Sequence, residues 1–146
     1  MTKVNTSDLV ASNSLHADQS VRVSASSDSE IQTFTTGIGL GAGGAVGLGI
    51  DTLVFDKQVT AKAAGSLFAK NDVVIHAQNK DVVNQKAASL AVDGSQALAG
   101  TVSVLVASSD VLAELADNTT VVAGDDLSIS ASQNTRLIQT SGVVSA

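Results

Sequence analysis

The sequence predicts an all-β fold, a right-handed parallel β-helix (β-solenoid) built from repeats of about 52 residues. Three observations predict it: a long-period internal repeat, a period-two apolar pattern inside each copy, and a composition of small and β-branched residues. The segment VRVSASSDSEI at residues 21–31 returns as VVIHAQNKDVV at 73–83 and as LSISASQNTRL at 127–137, at spacings of 52 and 54 residues. Long-period self-similarity of this kind is the signature of a stacked architecture.

Other positions keep the same register. Ile50, Thr52 and Val54 fall on Val102, Val104 and Val106, and Val59 and Ala61 fall on Val111 and Ala113. Leu67-Phe68-Ala69 falls on Val121-Val122-Ala123 and, upstream, on Leu15-His16-Ala17. The chain therefore divides into a partial repeat (1–20), two full repeats (21–72 and 73–126) and a second partial repeat (127–146), all one solenoid segment. The two extra residues of the second copy belong in the turn-like run Asp117-Asn118-Thr119-Thr120, where an insertion is tolerated.

Within each copy, alternate side chains are apolar, as at Val21/Val23/Ala25, Val102/Val104/Val106 and Leu127/Ile129/Ala131. That alternation places them on one face of a strand. Asp18-Gln19-Ser20, Lys70-Asn71-Asp72, Asp93-Gly94 and Gly124-Asp125-Asp126 punctuate the runs as turns. Helical spacing competes only at residues 95–98 and 110–116, and the counterpart of the latter at 57–63 reads better as a strand. A unit of short strands and turns of this length predicts two or three coils per repeat, with Ala and Val ladders filling a narrow lumen. Neither terminus shows a polar cap over the exposed strand edges. The expectation is therefore an excerpt of a longer array, or copies that stack end to end.

Composition agrees. There is no Pro, Cys, Trp or Tyr and only three Phe, so bulky core fillers and interface anchors are nearly absent. Net charge is −6 and the eight Lys and Arg never cluster, which argues against a nucleic-acid partner. The first ten residues contain no apolar signal-peptide core.

The combined pattern V-x-V-x-A-S, I, G-x-G-x-G-A-x-x-A-V-G, V, V-x-A, carried by residues 21–31, 37–50 and 59–63, resembles the repeats of large secreted bacterial exoproteins of the leukotoxin/filamentous-adhesin type. The resemblance extends, more weakly, through the second copy. It implies a β-solenoid passenger at the bacterial cell surface or released outside the cell, with no catalytic residues to carry over.

The residues themselves offer little chemistry. Gly39-Leu40-Gly41-Ala42-Gly43-Gly44 has dinucleotide-fingerprint spacing, but the mechanism needs a helix to open at the third glycine. Gly47 and Gly49 follow at once and oppose one, and the second copy loses the pattern. Structural glycines that allow tight backbone approach or bulges between stacked coils are the better reading. The uncharged stretch at 37–50 is too short to span a bilayer as a helix. His16 and His76 recur in no other copy and lack partner ligands. Asp125-Asp126 matches Asn71-Asp72 and reads as a turn. Asn5-Thr6-Ser7 and Asn118-Thr119-Thr120 fit the glycosylation acceptor pattern. The expectation is no enzyme, no catalytic, cofactor or metal site, no nucleic acid and no membrane contact. The expected role is a structural or adhesive shaft or fibre, with further repeats or identical chains as stacking partners and a host-surface receptor or glycan as external partner. A self-assembling filament subunit and part of a leukotoxin-like membrane-active toxin are the alternatives.

Overall fold

The computed structural model describes residues 7–12 and 14–146, and these form a parallel β-solenoid with no helix. Its strands are β1 (Ser7–Ser12), β2 (Leu15–Ala17), β3 (Val21–Gly41), β4 (Ala45–Ala64), β5 (Ser66–Ala69), β6 (Val73–Asp93), β7 (Ala97–Leu115), β8 (Thr120–Ala123) and β9 (Leu127–Ser145). They stack into three parallel sheets of order β1-β4-β7, β2-β5-β8 and β3-β6-β9. Every third strand is a ladder neighbour.

The pairing register reproduces the repeat. Val21, Val73 and Leu127 stand in one ladder, as do Val23, Ile75 and Ile129. Val59 pairs with Val111, and Leu67 lies between Leu15 and Val121. The offset is 52 residues for β4 on β7 and changes to 54 at β5 on β8, so the extra pair falls between Leu115 and Thr120. There Asn118 adopts φ 60°, while the equivalent one-residue turn of the previous coil uses Gly65 at φ 91°. Residues 110–116, the best helical candidate, continue strand β7 as far as Leu115.

One expectation is overturned. Each repeat makes one coil, not two or three, because its strands are long: β3 and β6 have 21 residues, β4 has 20. At ~3.3 Å per residue each spans about 60–70 Å, far beyond ordinary strands. The polar run after Ala25, Ala77 and Ala131 does not end the strand. In the first two coils its alternate side chains turn inward, and Ser29, Asn79 and Asp81 find partners across the interior.

That interior lies between the sheet of β3, β6 and β9 and the sheet of β1, β4 and β7, and it is zoned along the strands. An apolar zone of Val21, Val23, Val73, Ile75, Val59 and Leu67 lies at one end. Fully burying a Val, Leu or Ile contributes about 1.5–3 kcal/mol. A polar zone follows, in which Lys57 Nζ meets Asp81 Oδ1 at 2.6 Å and Ser29 Oγ at 2.8 Å, and Asn79 Nδ2 donates to Asp81 Oδ2 and to Ser109 Oγ. A second apolar cluster of Leu53, Phe55 and Val83 comes next. Beyond it, Thr33 Oγ1 donates to Asp51 Oδ2 at 2.8 Å, and Gln139 Nε2 donates to Gln85 Oε1 of the preceding coil at 2.9 Å.

At the far end the two sheets converge on tight turns, and the inward residues become Gly37, Gly39, Ala45, Gly47 and Gly49. A Cβ at Gly37 would collide with the carbonyl of Leu48, and one at Gly39 with that of Val46. Gly37 and Gly39 thus let the two sides of one coil meet backbone to backbone, while Gly47 and Gly49 face the carbonyls of Leu90 and Ala88 in the next coil.

Candidate functional site: the open coil face

The β7–β8–β9 coil is an edge of all three sheets. Along 19, 4 and 19 residues its outer side has no ladder partner among the described residues. The ladders show what this does to the interior. Val73 and Ile75 are 0% exposed, whereas their inward-facing partners Leu127 and Ile129 are 48% and 44% exposed. Leu137 and Val143 are similarly uncovered. The coil therefore presents a row of unpaired N–H and C=O groups beside an open apolar lumen, a template for another parallel coil.

Polar ladders fix the register that such a coil would meet. His76 Nδ1 lies 2.8 Å from Ser130 Oγ, and Lys62 pairs with Glu114 at 2.7 Å. On the short sheet, His16 and Phe68 stack with ring centroids 4.5 Å apart and 4° between planes. Each partnership joins one residue to its counterpart in the next coil.

The turns also interlock. Asp93 Oδ1 accepts from the N–H of Ser95 at 2.7 Å and of Gln96 at 3.4 Å, and Oδ2 accepts from the N–H of Gly44 in the preceding coil. These donors, the N–H of Ser95 foremost, hold the Asp93 carboxyl below its ordinary pKa. A single Asp therefore shapes its own turn and ties it to its neighbour.

The outward surfaces are divided. Towards the turn end they are apolar on both sides: Ile38 and Leu40 on β3, Val46, Leu48 and Ile50 on β4, and Leu98, Val102, Val104 and Val106 on β7 are all exposed. Outward charges on β4 and β7, namely Asp56, Lys62, Asp110 and Glu114, lie in the other half. Sequence reading missed this patch because period two shows only that one face is apolar, and near the glycines it is the outer one.

The remaining sequence candidates fall apart chemically. Gly39 and Gly41 belong to β3 and Gly44 to the turn, after which strand β4 begins, so no helix N-terminus is offered to a phosphate. Asp125 and Asp126 form the turn before β9, matching Asn71-Asp72, with the N–H of Asp126 bonded to Asp72 Oδ1. His16 and His76 are on separate strands with the partners given above. Asn118 sits in the β7–β8 turn, and Asn5, the acceptor of the other tripeptide, lies outside the described residues.

The fold and its open face define a parallel β-solenoid with one coil per repeat. No protein-family model, curated protein or solved structure matches the chain.

Proposed function

We propose that the chain is a structural and adhesive β-solenoid module of a bacterial surface or secreted exoprotein, extended by stacking coils into a shaft or fibre. The observation that carries the reading is the open coil face, whose ladder spacing and inward apolar pattern match the next coil of the same repeat. Further repeats or identical chains are its partners. The broad outer faces, whose side chains differ from copy to copy, are the surfaces offered to a receptor or glycan.

One coil per repeat alters the shape of such a shaft. Each 52-residue repeat adds only about 4.8 Å of length but keeps a width set by strands of about 60–70 Å. The module is a broad ribbon that gains surface faster than reach. A filament built by identical chains uses the same open face and differs only in whether the next coil is covalently attached.

Electron microscopy of chains carrying two and four additional copies of residues 21–72 tests the reading. Length should grow by about 4.8 Å per added repeat at constant width. Particles that widen, or round up, would overturn it. Long fibres from the unextended chain would assign the stacking to separate molecules.

A further inference from the structure

We propose that two copies of this chain pair laterally, the outward apolar face of β4 and β7 packing against its own counterpart with the turn ends pointing in opposite directions. This interface is independent of coil stacking, since it uses outward side chains and not strand edges.

Area supports a partner. The exposed β4 and β7 side chains run from 42% exposed at Val104 to 65% at Ile50. With ordinary residue areas they amount to roughly 650 Å² of exposed surface, part of it along the open edge of β7, against the few hundred Å² common on monomers and the ~800 Å² each side contributes to a standard interface. Pairing of like faces about a two-fold axis is the commonest closed arrangement. Two sheets can pack this way at about 10 Å.

Charge sets the orientation. Glu114 is paired with Lys62 at 2.7 Å, which leaves Asp56 and Asp110 on the far half of the same face. Turn ends pointing the same way would set these carboxylates against their own copies. Opposed turn ends part each of these carboxylates from its own copy and set them over the turn end of the second copy, where the Asp93 carboxylate is already engaged by the N–H groups of Gly44, Ser95 and Gln96. Ile50 and Val102 are ladder neighbours at the centre of the patch. With the two-fold axis there, Leu48 meets Thr52 and Gly100, which has no side chain, meets Val104.

A lipid surface fits less well. The turn end that would enter first carries Asp93, whose partly exposed carboxylate is held by N–H groups of Ser95, Gln96 and Gly44. A charge at the front of an inserting wedge is costly.

The chain has no cysteine, so single substitutions report cleanly. Sedimentation equilibrium should show a dimer. Leu48→Lys with Val104→Lys should weaken it by at least about 100-fold while leaving the strand circular dichroism unchanged. A bismaleimide of about 10 Å reach should cross-link Val102→Cys, which meets itself at that sheet spacing. It should not cross-link Leu98→Cys, which lies about 28 Å from its copy when the turn ends oppose. A monomer at high concentration would overturn the proposal, and so would a dimer that survives the double substitution. Equal cross-linking at both cysteines would overturn the orientation. Flotation of the wild-type chain with phosphatidylcholine vesicles, abolished by the double substitution, would assign the face to lipid instead.

Discussion

Removing Asp81 should cost far more than removing the whole ion pair to which it belongs. Lys57 Nζ lies 2.6 Å from Asp81 Oδ1, and both side chains are 1% exposed. In Asp81→Ala the ammonium keeps one hydroxyl, Ser29 Oγ at 2.8 Å, as its partner. An uncompensated buried charge costs about 3–5 kcal/mol. For a chain of this size that lowers Tm by roughly 10–20 °C. Lys57→Met with Asp81→Leu removes both charges at similar volume, and Asn79 Nδ2 retains Ser109 Oγ at 2.7 Å. The double variant should lie within about 2 kcal/mol of the wild type, because apolar replacement of a buried pair is often neutral or stabilising. Thermal and urea unfolding followed by circular dichroism, arranged as a double-mutant cycle, measures the coupling directly. An Asp81→Ala loss below about 1 kcal/mol, or losses that simply add, would refute the placement of this pair in the interior.

At the turn end, Gly39→Ala should destabilise by about 1–3 kcal/mol because its Cβ meets the Val46 carbonyl, whereas Gly43→Ala, with nothing within 4 Å, should be nearly neutral. Paired urea titrations check the contrast. Ile75→Ala, at a site 0% exposed, should cost about 2–5 kcal/mol on the same axis. Asp93 has a folded pKa below its ordinary 3.8, chiefly through the N–H of Ser95. Its contribution is therefore fully present above that ordinary value and lost as pH falls through the folded one. Asp93→Asn should flatten the acid limb of a Tm-against-pH profile, and an unchanged limb would contradict the bond network at this turn.

Much of the ladder was legible because inward positions repeat at a fixed spacing. Val21, Val73 and Leu127 share a residue class, and the pattern that aligned them in sequence pairs them in space. The insertion before Thr120 was legible too, since turn residues cluster there. Coil number was not. The run Gln78-Asn79-Lys80-Asp81 looks like a loop because four polar residues follow one another, yet Asn79 and Asp81 turn inward, where Asn79 Nδ2 donates to Ser109 and Asp81 pairs with Lys57 from the facing sheet. A partner 24 or 30 residues away leaves no local mark. The glycine-rich sequence at 37–49 suggests backbone approach between stacked coils, which holds for Gly47 and Gly49 against the Leu90 and Ala88 carbonyls of the next coil, whereas Gly37 and Gly39 meet the other side of their own coil. The consequence for the outer face, where Leu48 and Ile50 are exposed, required knowing which side of the strand was inside.

The central claim is that one repeat makes one coil, so that residues about 52 apart are ladder neighbours. Gln78 and Ser132 are such a pair on the outer face of β6 and β9. Strand neighbours about 4.8 Å apart fall within the Cα separation a disulfide accepts. Gln78→Cys with Ser132→Cys should therefore oxidise to an intramolecular disulfide under mild conditions. Gln78→Cys with Val104→Cys, half a repeat apart, should stay reduced because β6 and β7 lie in different sheets. Ready oxidation of the second pair and not the first would mean two coils per repeat, and would contradict the fold on which the stacking and the broad apolar face depend.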